Sequence, residues 1–149
     1  MRAFHTPHDT DESVGYRVEG AGVFAISTDM GHVTAEVEAG LLGADAALIE
    51  ANHDLKMLAD GPYPFPLKRR ILSERGHLSN ADCAVLARRL AESGTKRIIL
   101  GHLSRENNRP ELAMDAVAAA LEGLDTELLC APALGCLGVA VGEERVCCR

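Results

Sequence analysis

At 149 residues, with 47% apolar and 25% charged positions, the chain has the size and balance of one globular domain able to bury a core. Aromatic residues make up only 3% and tryptophan is absent, so that core must come from Ala, Leu, Val and Ile. A net charge of −7 excludes an indiscriminate nucleic-acid binder, because phosphate contacts need Lys and Arg, but it leaves room for a site where metal ions supply the positive charge.

The elements alternate along the chain. "AFHTPHD" places His8 and Asp9 after a short opening strand. "VGYRVEG" (14–20) and "GVFAIST" (22–28) predict two strands joined at Gly20–Gly22 as a hairpin. "HVTAEVEAGLL" (32–42) sets Val33, Val37 and Leu41 on one helical face, and "ADAALIE" (44–50) predicts a short buried strand. "HDLKMLADG" (53–61) predicts a helix that His53 begins and that Gly61 and Pro62 stop, and "PFPLKRRILSERG" (64–76) predicts another. Ser79 and Asp82 resemble a capping box opening the helix at 80–93, which ends at Gly94. "KRIILG" (96–101) is a predicted strand. "PELAMDAVAAALEGL" (110–124) is a predicted helix with proline at its permitted early position, and strands are predicted at 126–132 and 137–142. Helix–strand alternation defines the class as α/β, with no linker dividing it.

The five cysteines, Cys83, Cys130, Cys136, Cys147 and Cys148, are odd in number and lack CxxC spacing. They predict a reducing compartment without a disulfide framework, most simply as small buried hydrophobes plus an incidental vicinal pair. No signal peptide is read, and no apolar run approaches the ~18–20 residues of a membrane span. The expected location is therefore cytoplasmic, with no membrane partner.

The polar residues gather at predicted strand ends, where α/β folds bind ligands. "VFAISTD" ends at Asp29, "AALIE" at Glu50 followed by Asn52, His53 and Asp54, and "RIILGH" at His102; His77 lies just before a helix N-terminus. Each has an ordinary structural reading beside the functional one. A histidine there can be a hydrogen-bonded structural residue, and Asp29 can cap the helix that follows. Glu50 is harder to dismiss, since a half-buried carboxylate needs a partner. Taken together, the set is what a metal-assisted hydrolase needs, where imidazoles and carboxylates hold ions that activate water. The tetrapeptide GHLS occurs at both His77 and His102, but its flanks ("PFPLKRRILSE" and "TKRIIL") differ, so this is a local echo and not a repeat.

The motifs "PHDTDESVGY", "TDMGHV", "IEANHD", "GPYPFPLKRRILSERGHLSN" and "ILGHLSRENNRPELA" together resemble the second half of the YycJ/WalJ-like branch of metallo-β-lactamase-fold hydrolases, from about residue 3 to about residue 124. Their order is also similar to the second half of the tRNase Z nucleases. The resemblance implies the second half of a four-layer αββα sandwich, spanning residues 1–149. It implies His8, Asp29 and His102 as metal ligands, with Asp29 bridging two divalent ions, zinc or manganese. It further implies that His77 assists protonation of the leaving oxygen and that Glu50 orients His77. Asn107 and Asn108 shape the last loop, cap the following helix, or contact substrate phosphate. His5, His32 and His53 receive no catalytic role, with His32 placed behind Asp29.

The family's HxHxDH motif, which supplies the remaining ligands and the water-activating aspartate, is absent from this sequence. The implied activity is a metal-dependent phosphodiesterase or nuclease acting on nucleic acid, of which this chain holds part of the site. By itself it is expected to bind at most one ion, weakly. Three origins stay open: a truncated product, a half that pairs with a separate first half or dimerises through its open sheet face, and a non-catalytic remnant. The alternative function is a partner-binding α/β module.

Overall fold

A computed structural model describes residues 1–142; Cys147 and Cys148 lie outside the described residues. Among those residues stand strands β1 (Arg2–His5), β2 (Val14–Glu19), β3 (Val23–Ser27), β4 (Ala46–Glu50), β5 (Arg97–Gly101) and β6 (Glu127–Cys130). The helices are α1 (Ala35–Leu41), α2 (Leu55–Asp60), α3 (Phe65–Ile71), α4 (Asn80–Glu92) and α5 (Pro110–Ala120). The six strands form one sheet in sequence order. Its first two pairings, β1–β2 and β2–β3, are antiparallel, and β3 to β6 run parallel. Each parallel step needs a crossover, and the helices supply it.

Local chemistry explains most boundaries. Thr34, Asp54 and Ser79 cap α1, α2 and α4 by accepting from the backbone N–H of Val37, Met57 and Asp82. His53 therefore does not begin a helix. It precedes the Asp54 cap and forms an isolated parallel bridge with Ser79. The α3 helix stops five residues short of its predicted end, because the chain folds back under it: the N–H of Gly76 bonds Ser73 O and that of His77 bonds Ile71 O. A β-carbon on Gly76 would stand 2.1 Å from the Ile71 carbonyl oxygen, so only glycine allows this approach. Likewise α5 ends at Ala120, ahead of Gly123 at φ 81°.

The strand expected at 137–142 does not form. Pro132 cannot donate to a ladder, and Gly135 and Gly138 weaken a strand, so the chain leaves the β6 edge. It then crosses the sheet face, where the Arg97 Nη1 donates to Ala140 O at 2.7 Å.

The core lies on the other face. Ala25, Ala47, Ile49, Ile98 and Leu100 of the sheet form one buried cluster with Val37 and Leu41 of α1, Leu86 and Leu90 of α4, and Ala113 and Val117 of α5. The face crossed by the tail carries a second apolar row in register across five strands: Tyr16, Ile26, Leu48, Ile99 and Leu129. Residues 131–141 cover part of it, enclosing a cavity of about 480 Å³ against Phe24, Leu48 and Ile99.

Candidate metal centre

Three adjacent parallel strands bring the site together. Asp29 follows β3 by two residues, Glu50 ends β4, and His102 follows β5, with Glu50 opposite Gly101 in the ladder. Asp29 and His102 are the described non-glycine residues with positive φ, at 56° and 57°. Left-handed backbone is uncommon for such residues and costs energy, so finding it at two candidate ligands places local strain at the site.

His77 reaches the same place because the segment around it is bonded to the chain that follows β4. The N–H of Asn52 donates to Leu78 O and that of Asn80 to His53 O, both at 2.9 Å. His8 comes from the loop after β1, held by the N–H of Gly31 donating to Pro7 O and by Arg75 Nε donating to His8 O, both at 3.0 Å. Asp9 beside it pairs with Arg70.

Glu50 is the hub. It is fully buried, and its Oε1 accepts from Nδ1 of both His77 and His102 at 2.7 Å. Its Oε2 accepts from the N–H of Met30 at 3.0 Å and of Leu78 at 3.4 Å. Burial pushes the Glu50 carboxyl upward, but the bonds from His102, His77 and Met30 outweigh it and hold it below the usual range. Glu50 is thus an ionised acceptor. The same bond from His102 raises that imidazole against the opposing effect of burial.

The tautomers follow from these partners. Nδ1 of His77 and of His102 each give a proton to Glu50, and Nδ1 of His8 gives one to Gly76 O at 3.0 Å. Each ring then presents the Nε2 lone pair. His8 Nε2 lies 3.6 Å and His102 Nε2 3.7 Å from Asp29 Oδ1. Those separations are too long for hydrogen bonds. They suit atoms sharing one ion, since Zn–N and Zn–O bonds are ~2.0–2.2 Å. His8, Asp29 and His77 also each offer a ligand atom within 4.8 Å of the others. Imidazole nitrogens beside a half-exposed carboxylate, with carboxylate and carbonyl support behind them, therefore fit a divalent cation. Glu50, His77 and His102 also each offer an atom within reach of a shared ion, but the Glu50 oxygens are committed to four N–H donors. The histidines face a cavity of about 370 Å³ that Tyr63, Leu67 and Arg70 also line.

The other sequence candidates are not brought to this point. Asn107 and Asn108 are 1% and 5% exposed. The Asn108 amide donates to Ala51 O and to Asn80 Oδ1 at 2.8 Å, and its oxygen accepts from Asn80 and from the Arg109 N–H, so its polar atoms are spent inside the loop. His32 is exposed and bonded to Glu74 O at 2.9 Å, not placed behind Asp29. His5 is exposed, and His53 is buried with no partner on either ring nitrogen. Three contributions escaped the sequence reading. Glu50 orients His102 as well as His77. The Gly76 carbonyl fixes His8. Asn52 Nδ2 donates to His102 O at 3.0 Å, bracing the strained residue. Of these only Asn52, in the polar cluster after Glu50, left a sequence signal.

The chain is 39% identical over 123 residues to the exodeoxyribonuclease YycJ of Bacillus anthracis, covering 82% of this chain and 47% of that protein. It is 44% identical over 114 residues to the exodeoxyribonuclease WalJ of Streptococcus pneumoniae, covering 76% of this chain and 42% of that one. No family model matches. Among solved structures it resembles the metallo-β-lactamase fold protein YhfI of Bacillus subtilis, with a TM-score of 0.60 at 16% identity over 87% of this chain and 45% of the other. It also resembles zinc-bound PqqB of Methylobacterium extorquens, with a TM-score of 0.53 at 21% identity over 87% and 43%. The chain is thus a relative of YycJ and WalJ with a metallo-β-lactamase fold, and it spans under half the length of the proteins it matches.

Proposed function

We propose that this chain carries the second half of a metallo-β-lactamase-fold domain, and with it part of the metal centre of a nuclease that hydrolyses phosphodiester bonds in nucleic acid. The observation that carries the reading is that Nε2 of His8 and Nε2 of His102 lie 3.6 and 3.7 Å from the same Asp29 oxygen, with Nδ1 of each ring engaged from behind. His8, Asp29 and His102 would hold divalent metal, zinc or manganese, which when bound would supply the Lewis acidity that polarises a phosphoryl group and activates water. His77, on taking up a proton at Nε2, passes it to the leaving oxygen, and Glu50 keeps His77 and His102 oriented throughout. DNA is the favoured substrate, because the relatives at 39% and 44% identity are named exodeoxyribonucleases.

The remaining ligands come from an HxHxDH-bearing first half, either preceding this segment or supplied by another polypeptide. The apolar row Tyr16, Ile26, Leu48, Ile99 and Leu129 supports this, since a second sheet packing there would bury it. It equally supports the alternative that this face chiefly binds a partner. A reducing, cytoplasmic location fits the free Cys83, Cys130 and Cys136. Among the described residues no helix is long and apolar enough to cross a membrane.

The test is reconstitution. Joined to the first half of a YycJ-type nuclease, the chain should degrade DNA in a metal-dependent way. His102→Ala and Asp29→Ala should each abolish that cleavage, and cleavage surviving both substitutions would defeat the assignment.

A further inference from the structure

We infer that a second cavity, adjoining the metal centre, is a subsite for a neighbouring phosphate of the nucleic-acid strand, held by Arg105 and Arg109. The inference rests on the nuclease reading above and names how the strand is held beyond the reacting bond. This cavity measures about 430 Å³ and shares His102, Leu103 and Ser104 with the cavity that contains His8 and His77. His102 therefore stands in the wall between the two. A polymer with one phosphate at the histidines must send its chain onward, and the shared wall makes the second cavity an adjoining path.

Its charge sets it apart. The chain carries a net −7, yet no carboxylate lines this cavity, whereas Arg105 and Arg109 both do. Elsewhere six of the eleven other described Lys and Arg residues are neutralised: Arg17, Arg70, Arg88, Arg89, Lys96 and Arg97 each hold a carboxylate. Among the described residues neither Arg105 nor Arg109 forms an ion pair, and both are exposed. A guanidinium fork matches phosphate oxygens in geometry as well as charge, without reading sequence.

The loop presenting them is built to hold still. The N–H of Asn107 bonds Ser104 Oγ at 3.2 Å, its carbonyl accepts from the Asp54 N–H at 2.9 Å, and Asn108 Oδ1 accepts from the Arg109 N–H at 2.9 Å. Asn107 and Asn108 thus serve the strand indirectly, by fixing the backbone from which the two arginines project. A rigid mount lowers the ordering cost of binding.

The test uses the 149-residue chain and a labelled single-stranded oligothymidylate, followed by fluorescence anisotropy from about 50 to about 200 mM salt. Removing two phosphate contacts in R105Q/R109Q should weaken binding about tenfold at the lowest salt and flatten the slope of log K against log salt by ~1.4. R2Q/K56Q removes the same charge from residues lining neither cavity and should leave the slope within a few tenths of wild type. Equal losses in the two double variants, no loss in R105Q/R109Q, or no binding by the wild-type chain would each overturn the subsite. A parallel Mn²⁺ titration separates this from the nuclease reading. The arginine variant should bind Mn²⁺ like wild type and His102→Ala should not. Metal held without arginine-dependent DNA binding sinks the subsite alone. Arginine-dependent binding without any held metal sinks the metal reading and leaves the anion site.

Discussion

Replacing Glu50 by Gln leaves the side-chain volume almost unchanged and removes one acceptor head from a buried hub that serves four donors. Oε1 accepts from two imidazoles at 2.7 Å and Oε2 from two backbone N–H groups at 3.0 and 3.4 Å. An amide can offer its oxygen to only one of those pairs; the other then faces an NH₂ that is itself a donor. If the NH₂ faces the histidines, they must turn or move their protons to Nε2, and the lone pairs aimed at Asp29 are lost. If it faces Met30 and Leu78, two buried N–H groups lose their acceptor. Each lost charge-assisted bond is worth ~1.5–3 kcal/mol. The relief of burying a neutral group instead of a carboxylate offsets several kcal/mol, so apo stability should move little. Metal affinity should not be spared, because removing the group behind a ligating histidine typically costs about 10–100-fold, or ~1.4–2.8 kcal/mol. Calorimetric titration of Mn²⁺ into wild type and E50Q at one pH reads this directly, with circular dichroism confirming that both are folded. A folded E50Q that binds Mn²⁺ within about twofold of wild type would refute the hub argument.

Three further outcomes follow from the geometry. At position 102 the φ of 57° favours glycine, so His102→Gly should be more stable than His102→Ala by ~1 kcal/mol in urea denaturation, while both lose metal; equal stability would mean the backbone strain is not real. Gly76→Ala should cost ~1–3 kcal/mol, because the new β-carbon meets the Ile71 and Arg70 carbonyl oxygens at 2.1 and 2.3 Å, and it should weaken metal binding by shifting the carbonyl that holds His8. Asn108→Ala strips the buried partners of Ala51 O and Asn80, so the melting transition should fall by the equivalent of ~1–3 kcal/mol. A variant with wild-type stability and weakened DNA binding would instead return Asn108 to direct phosphate contact.

Much of this protein was legible in its order of residues. Helix caps and period-two or period-3.6 patterning act over three or four neighbours, so Ser79 announces its helix, whereas the caps Thr34 and Asp54 lie inside the helices expected from His32 and His53. Strands β3, β4 and β5 stand close to where their apolar runs lie. The polar residues at those strand ends could be picked out for the same reason: a parallel sheet delivers the C-terminal ends of its strands to one edge. Boundaries failed where a distant partner decided them. The α3 helix stops at Ile71 because the chain must fold back beneath it to carry His77 to Glu50, and residues 137–142 give up a strand to lie over the apolar row that β2 to β6 create together. Nothing local tells an imidazole which of its nitrogens will be free. That depends on Glu50 lying 27 residues from His77 and 52 from His102, and on the Gly76 carbonyl lying 68 from His8, contacts that exist only once the sheet has formed. Residue identity supplied the candidate ligands, and the tertiary structure chose their tautomers, because a proton goes to whichever nitrogen meets an acceptor.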